Sequence, residues 1–287
     1  MPRHVSLRRS QLFVPGNDER KIKKSLEELD CDSIVLDLED AVPEDSKSLA
    51  RNMIKKLLTE LKSQERRGKE ICVRINPLNS PFSTEDAQVL KDVGAIDAFV
   101  VPKSESKEKL SELFRSTGKK LIPLIETAHG LVEVTNIARA EGVVAIAYGA
   151  ADFANSVGGS VKAYLRNNYV KTAIAVAARS FGIEPIDNVY FDLADIEGFR
   201  KEAMESRDLG FTGKQVIHPS QIAPTNEIFS PSKEEITRAR EIIDAYEKAA
   251  LKGSGAIRFR NELVDAVHYR QAMEILQKQE FIEGRNK

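Results

Sequence analysis

Three apolar, strand-like runs of this 287-residue chain are followed at once by acidic residues. The first run leads into the acids of residues 37–40, the second into Glu126 and the third into Asp152, while a fourth run ends in Arg74. Buried strands that deliver polar groups at their carboxyl ends are how a parallel α/β barrel builds an active site. Carboxylates gathered there suit a hard divalent cation such as Mg²⁺, and a nearby arginine suits a carboxylate substrate, which its planar fork can grip with two hydrogen bonds.

Glu126 and Asp152 are the candidate metal ligands because they end consecutive predicted strands. Their carboxylates, together with substrate oxygens and water, would make a plausible shell for Mg²⁺. The alternative is that each acid only caps the helix that follows it, as Asp often does.

Arg74 has two interpretations that can hold together. Its guanidinium could polarise a carbonyl or hold a substrate carboxylate, or it could form a salt bridge with an acid of residues 37–40. Asp37 and Glu39 share one face of an extended segment, whereas Asp40 is expected on the loop. These acids could act directly in catalysis or could orient Arg74 and metal-bound water, and the sequence leaves both roles open.

Further basic residues could act on a substrate. Lys103 follows the fourth predicted strand and could form a Schiff base with a carbonyl substrate, or it could be a charge partner for the acids. Arg20 and Lys24 belong to a stretch with four basic residues in five positions at a helix start. Such a stretch could hold the phosphates of an elongated ligand, or it could be a solvated helix face.

The elements that must position these residues alternate regularly along the chain. Apolar runs predict eight strands, at residues 11–14, 33–38, 71–75, 98–101, 121–125, 143–148, 188–191 and 215–217. Amphipathic patterns predict helices at residues 19–29, 45–61, 84–93, 107–115, 131–140, 164–181, 196–209 and 234–251. This alternation predicts parallel β-α-β units, and eight units favour a closed (β/α)₈ TIM barrel over an open sheet. No G-x-G-x-x-G follows the first run, which argues against a dinucleotide-binding fold.

A glycine-rich stretch from Lys252 to Gly255 follows the last helical pattern and is typical of a hinge. Beyond it lie a strand-like piece at residues 256–259 and a helical pattern at residues 265–277. This tail is too small to hold its own core and is expected to pack on the barrel or on a neighbouring subunit. We therefore predict a barrel domain at residues 1–252 and a C-terminal hinge and lid at residues 253–287.

Composition argues against several functional classes. The formal net charge is −1, so no global field favours nucleic acid or a membrane surface as a partner. No run approaches the roughly 18 apolar residues of a membrane span, and no secretory signal pattern is visible, so a cytoplasmic location is expected. Cys31 and Cys72 fit no metal or redox spacing and are expected to be buried thiols.

Six motifs together resemble the citrate lyase β-subunit-like family of the HpcH/HpaI aldolase superfamily, whose relatives include malyl-CoA and citramalyl-CoA lyases. The motifs are LRRSQLFVPG at residues 7–16, LDLEDAV at 36–42, VRIN at 73–76, VPKSE at 101–105, LIET at 124–127 and GFTGKQVIHPSQI at 210–222. The resemblance implies a (β/α)₈ barrel that is usually trimeric or a multiple of that. It also implies Mg²⁺-dependent cleavage or formation of a carbon–carbon bond in a 3-hydroxy-3-carboxyacyl thioester, with Mn²⁺ as an alternative metal.

The resemblance also assigns roles to residues. It implies that Glu126 and Asp152 bind the metal, and that Arg74 contacts the 2-keto acid. The acids of residues 37–40, Glu39 among them, would support Arg74 and a metal-bound water. Arg20 and Lys24 match positions that contact the nucleotide end of coenzyme A, and Asp265 matches a lid aspartate that acts as acid or base in a neighbouring subunit.

The chain departs from the family at two of these motifs. The family often has Phe-Gly-Thr-x-Asp where this chain has Tyr-Gly-Ala-Ala-Asp at residues 148–152, and it often has a proline where Val267 stands. The resemblance leaves the acyl group open among citramalyl-, malyl- and citryl-CoA. Alternative functions are a citrate lyase β subunit acting on an acyl-carrier-protein thioester, a malyl-CoA thioesterase, and a non-catalytic ligand-binding barrel. Small molecules and further copies of the chain are the expected partners.

Overall fold

The predicted TIM barrel is confirmed by the computed structural model, which describes residues 7–251 and 254–285. Eight parallel strands close on themselves in chain order, so that strand β1 pairs with both β2 and β8. The strands are β1 Ser10–Pro15, β2 Ser33–Asp37, β3 Glu70–Arg74, β4 Ala98–Val101, β5 Lys120–Ile125, β6 Ala145–Tyr148, β7 Glu184–Asp187 and β8 Gly213–Val216.

Helices follow the strands, and two of the predicted helices are each split into two shorter ones. The helices up to β8 are α1 Glu19–Glu27, α2 Lys47–Glu60, α3 Pro81–Leu90, α4 Lys107–Thr117, α5 Ala128–Val132, α6 Val134–Ala138, α7 Ala150–Ser156, α8 Val161–Leu165, α9 Asn168–Ser180 and α10 Ile196–Asp208. The helices after β8 are α11 Ile222–Ile228, α12 Lys233–Ala250 and α13 Ala266–Arg285. Many begin at a side-chain cap, such as Asp18 for α1 and Ser106 for α4, because these side chains satisfy backbone N–H groups that lack helical partners.

The prediction of the seventh strand was wrong. The strand is Glu184–Asp187, not residues 188–191. The sequence of this strand, Glu-Pro-Ile-Asp, gives a weak strand signal because only Ile186 is strongly apolar. The Asn-Val-Tyr-Phe sequence that follows has the higher β propensity and was therefore predicted in its place. Asp187 can be buried in a strand because two lysines neutralise it, at 2.8 Å from Lys171 and 2.7 Å from Lys214.

Small and branched apolar side chains fill the inside of the barrel. They are Val35, Cys72, Ala98, Val100, Ile122, Leu124, Ala145, Ala147 and Ile186. A second apolar layer packs between the strands and the surrounding helices and contains Cys31. Both cysteines are buried and unbridged, as expected.

The amino-terminal end of the barrel is closed by an ion-pair network. The Arg8 guanidinium donates two hydrogen bonds to Glu70, at 2.7 and 2.6 Å, and also pairs with Glu184. Arg9 pairs with the buried Asp32 at 2.8 Å. Two arginines and three acids are thus paired with one another at this end, and the cavity described below lies at the opposite end.

The described chain forms two compact units, one from Arg8 to Phe229 and one that comprises Leu7 and the described residues from Ser230 onward. In the first unit, the short helix α11, which the sequence patterns did not predict, packs on β1 and β8. In the second unit, α12 packs against α13 and a two-stranded antiparallel sheet of β9 Ala256–Phe259 and β10 Glu262–Asp265. Its small core contains Ala239, Ile242, Val264 and Ala272.

The tail after the predicted hinge therefore has a core that it shares with α12. Lys252 and Gly253 of that hinge lie outside the described residues, and the boundary at residue 252 stays a prediction. In the described part of the chain, no helix is long and apolar enough to cross a membrane.

Candidate active site at the barrel mouth

A cavity of about 480 Å³ opens at the carboxyl ends of the barrel strands. Its lining includes Asp37 at the end of β2 and Asp40 after it, Arg74 at the end of β3, Glu126 after β5 and Asp152 after β6. Residues that are up to 115 positions apart in sequence (37 to 152) thus share one space. This convergence is expected of a parallel barrel, because the carboxyl ends of all its strands lie at the same end and polar residues at or just after those ends therefore meet.

Glu126 is the most deeply buried acid of the cavity, with 3% of its surface exposed. Its Oε1 accepts a hydrogen bond from the backbone N–H of Lys103 at 2.7 Å. Its other oxygen, Oε2, faces Gly149, where a Cβ atom would lie only 2.5 Å away. Glycine at position 149 is therefore required for the glutamate to lie against the start of α7.

The environment of Glu126 disfavours its charge. Burial raises the pKa of Glu126 to about 8, and the negative charge of Glu39 adds to the shift, while Lys103 and Arg74 partly oppose it. A carboxylate in this position lacks sufficient positive charge nearby. A bound cation would supply that charge.

Neither Glu126 nor Asp152 is the N-cap of its nearest helix, which is α5 for Glu126 and α7 for Asp152. The N-cap of α5 is Thr127, whose hydroxyl accepts a hydrogen bond from Gly130, and the N-cap of α7 is Gly149. Asp152 lies half-buried in the first turn of α7 and lines the cavity. The capping interpretation is thus wrong for both acids, which removes the main structural alternative to a ligand-binding role.

Arg74 is held by three acids, Asp37 at the end of β2 and Glu39 and Asp40 just after it. Its Nε and Nη2 donate to the two oxygens of Asp37, each at 2.6 Å, and its Nη1 donates to Asp40 at 3.2 Å. The same Nη1 lies 2.7 Å from an oxygen of Glu39. The guanidinium also lies over the ring of Phe13, 5.2 Å from its centroid. A guanidinium has five N–H groups, so at most two remain for a ligand in the cavity.

Lys103 joins this network behind the cavity. Its Nζ donates to Glu39 at 2.6 Å and lies 3.9 Å from Glu126. Burial alone would lower the pKa of Lys103, but the hydrogen bond and charge of Glu39, together with the charges of Glu126 and Asp152, raise it. A Schiff-base lysine needs a lowered pKa to be nucleophilic, so the geometry favours the charge-partner interpretation. Lys103 also has a left-handed backbone, with φ of 48°.

Acids outnumber bases in this cluster, which we call the mouth cluster. When all groups are ionised, five negative charges meet two positive ones, for a formal charge of −3; the members are Asp37, Glu39, Asp40, Glu126, Asp152, Arg74 and Lys103. Among the described residues, no group of three or more His, Cys, Asp or Glu side chains is arranged to hold a metal by itself. The cluster therefore suits a cation that takes two protein carboxylates and fills its other positions with substrate and water, as Mg²⁺ does.

Arg20 and Lys24 lie one turn apart on the exposed side of α1. The neighbouring basic residues are engaged: Lys21 pairs with Asp18 at 3.1 Å and Lys23 with Glu19 at 2.6 Å. Arg20 and Lys24 have no ion pair within the described chain. They are available to an anionic ligand.

Asp265 is the last residue of β10 and belongs to the second unit. Its Oδ1 accepts a hydrogen bond from the backbone N–H of Val267 at 2.9 Å and lies 2.8 Å from Nδ1 of His268. The hydrogen bond from the His268 side chain, with that from Val267, lowers the pKa of Asp265. The carboxylate is therefore ionised at neutral pH.

Gly149 and Gln215 were missed in the sequence. Gln215, on β8, lines the same cavity. The alternation of faces along a strand could have indicated it, because Gln215 is two residues before the cavity-lining Ile217. Nothing local in the sequence marks Gly149 as the contact of a glutamate 23 residues earlier.

Comparison with known proteins shows which family this chain belongs to. Residues 9–219 match the family model of HpcH/HpaI aldolase/citrate lyase. The chain is 38% identical to human mitochondrial citramalyl-CoA lyase over 92% of this chain and 83% of that protein, and 35% identical to the L-malyl-CoA/β-methylmalyl-CoA lyase of Rhodobacter capsulatus over 97% and 96%. It is similar to the crystal structure of CitE from Mycobacterium tuberculosis in complex with magnesium, acetoacetate and coenzyme A, with a TM-score of 0.78, 31% identity, and coverage of 94% of this chain and 97% of that one. The chain belongs to the HpcH/HpaI aldolase/citrate lyase family.

Proposed function

We propose that this protein is a Mg²⁺-dependent carbon–carbon lyase. It cleaves, or in reverse forms, a 3-hydroxy-3-carboxyacyl-CoA such as citramalyl-, malyl- or citryl-CoA, giving a 2-keto acid and acetyl-CoA. The observation that carries the proposal is the acid surplus of the mouth cluster, because five acids around two bases can all be ionised, and can accept an anionic substrate, only when a further cation is bound.

Glu126 and Asp152 are the proposed metal ligands. Both line the cavity, neither caps a helix, and the Glu126 carboxylate is buried with too little positive charge around it. Carboxylate oxygens are the donors that Mg²⁺ prefers. When bound, the metal would act as a Lewis acid that polarises substrate oxygens.

Arg74 is the proposed substrate-binding and catalytic cation. The two-pronged bond to Asp37 fixes the plane of the guanidinium, so the remaining N–H groups keep one direction. Such a preorganised donor stabilises the negative charge that develops on the keto-acid oxygen as the carbon–carbon bond breaks. Glu39 bridges Arg74 and Lys103 and is assigned the role of holding both in place.

Arg20 and Lys24 are the proposed contacts for the phosphates of coenzyme A. Both residues are exposed on α1, the helix that follows β1. The other two lysines of this stretch, Lys21 and Lys23, already form ion pairs with Asp18 and Glu19. Two exposed cations one turn apart suit a polyphosphate. This feature favours free coenzyme A as the acyl carrier.

Asp265 is the proposed acid or base at the thioester α-carbon. Its ionised carboxylate can take a proton from the methyl group of acetyl-CoA, and the conjugate acid can return it in the cleavage direction. We further propose that the protein is a homo-oligomer, a trimer or a multiple of one, in which Asp265 serves the barrel of a neighbouring subunit. Mixed oligomers of Asp265→Asn and Asp152→Asn chains should then regain activity that each variant lacks. The cytoplasmic location stays a prediction, and the human relative is named as mitochondrial.

The test is an activity screen with citramalyl-, malyl- and citryl-CoA, each with Mg²⁺ and with excess chelator, following release of the 2-keto acid. Turnover of at least one thioester that disappears with the chelator is expected. Turnover that is unaffected by the chelator, or hydrolysis that releases the intact hydroxy acid, would contradict the proposed reaction.

A further inference from the structure

Gln215 differs from the other buried polar residues of the cavity wall. It lies on β8 with 4% of its surface exposed, and its side chain lines the cavity. Its Nε2 has no hydrogen-bond partner among the described residues. A buried amide donor without a partner costs free energy that the fold does not recover, so the position calls for an explanation in terms of a ligand.

The residues that line the cavity beside Gln215 are apolar. The lining residues near it along the barrel wall are Phe13 on β1, Val189 and Phe191 after β7, and Ile217 after β8. In such a setting a single donor selects strongly, because a ligand without an acceptor would leave the amide unpaired. In the closed eight-stranded barrel, β8 lies three strand positions from β3, which carries Arg74, and three from β5, which precedes Glu126, so Gln215 faces the cavity from a different part of the barrel wall.

We propose that Gln215 is a substrate-binding residue whose Nε2 donates a hydrogen bond to an oxygen of the bound 2-keto acid. This inference rests on the proposed function and adds a second wall to its binding site. The acid would be held by the metal ligands and Arg74 from one side and by the Gln215 amide from the other. The oxygens of a small 2-keto acid could accept the hydrogen bond for which Gln215 Nε2 has no partner among the described residues.

Gln11 provides a matched control. It pairs in register with Gln215 on the neighbouring strand, is fully buried, and has no hydrogen-bond partner for either side-chain polar atom among the described residues. It does not line the cavity. Gln11→Met and Gln215→Met therefore make the same chemical change at the same level of burial, and only the second touches the proposed site.

The experiment is calorimetric titration in Mg²⁺ with pyruvate, glyoxylate and oxaloacetate, followed by titration with coenzyme A. For the keto acid that wild type binds most tightly, we expect Gln215→Met to weaken binding about tenfold. Gln215→Glu, which places a negative charge beside the acid, should weaken it further. Gln11→Met should leave keto-acid affinity within about twofold of wild type. Coenzyme A affinity and melting temperature should not fall in Gln215→Met, because no protein hydrogen bond is lost.

Three results would overturn the inference. The first is keto-acid affinity in Gln215→Met that equals that of wild type, and the second is an equal loss in Gln11→Met. Gln215→Leu is measured beside Gln215→Met so that a folding defect of one variant does not decide the outcome. The third is that wild type binds none of the three acids in Mg²⁺, and this result would refute the proposed function itself. If wild type binds an acid and Gln215→Met binds it with the same affinity, only the role of Gln215 is refuted.

Discussion

Two charged clusters of this barrel differ in their balance of positive and negative groups, and this difference distinguishes a structural cluster from a ligand-binding one. The first is a buried quartet of Lys171, Asp187, Glu202 and Lys214, with two positive and two negative charges and at most 2% exposure of any side chain. The second is the mouth cluster, with its formal charge of −3. Balanced charges in the quartet bind each other, whereas unbalanced charges at the mouth leave a demand for a cation.

The quartet is satisfied almost entirely from within. Lys214 Nζ donates to Asp187 at 2.7 Å, to Glu202 at 2.8 Å and to the backbone carbonyl of Asn188 at 2.6 Å. Burial by itself would raise the pKa of Asp187, but the charges of Lys171 and Lys214 lower it. Because Lys214 also holds the backbone just after β7, the quartet fixes the segment that carries Val189 and Phe191 into the cavity wall.

Breaking the quartet should have the largest effect. Lys214→Met leaves Asp187 and Glu202 with one lysine, and the loss of one partner from a buried ion pair typically costs about 3–5 kcal/mol of unfolding free energy. Chemical denaturation measures it. Glu202→Gln added to Lys214→Met should recover part of the loss. The exposed pair Arg115–Glu141 is the control, since Arg115→Met should cost less than about 1 kcal/mol. Equal costs at the two sites would contradict the contrast.

Breaking the mouth cluster should cost activity but not stability. Glu126→Gln keeps the acceptor for the Lys103 backbone N–H and removes a carboxyl group whose ionised form has too little positive charge nearby. We expect turnover to fall by at least about a hundredfold, equivalent to about 2.7 kcal/mol, with an unfolding free energy equal to or above that of wild type. Steady-state kinetics and denaturation on the same preparation test it. A stable variant with wild-type turnover would refute the role of Glu126.

Arg74→Lys should have a smaller effect on the same cluster. It keeps the positive charge but replaces the fork that binds both oxygens of Asp37 with a single ammonium. A loss of about tenfold in kcat/KM is expected, or about 1.4 kcal/mol of transition-state stabilisation. If the kinetics of this variant match those of wild type, Arg74 is a structural ion pair only.

The smallest effect is expected at α1. Arg20→Ala combined with Lys24→Ala should raise KM for the CoA thioester about fivefold and leave kcat nearly unchanged, because these residues would bind a remote part of the substrate. Lys21→Ala combined with Lys23→Ala removes the same charge from residues that already have partners. A KM that rises equally in both double variants would indicate a general charge effect and not a binding site.

The contrast between the clusters also explains what could be predicted from sequence. Acids that directly follow apolar runs, such as Glu126 and Asp152, were found because the carboxyl ends of parallel strands must meet. The quartet was not predicted, and the position of β7 was predicted wrongly for the same reason. Asp187 can be buried in β7 only because Lys171 and Lys214, which belong to other elements, form ion pairs with it. Local patterns carry no information about such distant compensation.

Two further features depended on three-dimensional packing in the same way. The close contact between Gly149 and Glu126 joins two strands, and the bridge of Glu39 between Arg74 and Lys103 joins three. The sequence could propose these residues only singly. Helix α11 was overlooked because it is short and contains a proline, so its seven residues give little periodic signal.

The most direct test of the central claim is the linkage between Mg²⁺ and the 2-keto acid. Calorimetry with the acid that wild type releases would be performed in Mg²⁺ and in excess chelator, for wild type and for Asp152→Asn. If the mouth cluster requires a cation, chelation should weaken binding of the 2-keto acid by at least about a hundredfold. The Asp152→Asn variant in Mg²⁺ should show a comparable loss of affinity. Equally tight binding with and without Mg²⁺ would show that the surplus negative charge is tolerated, and would contradict the account.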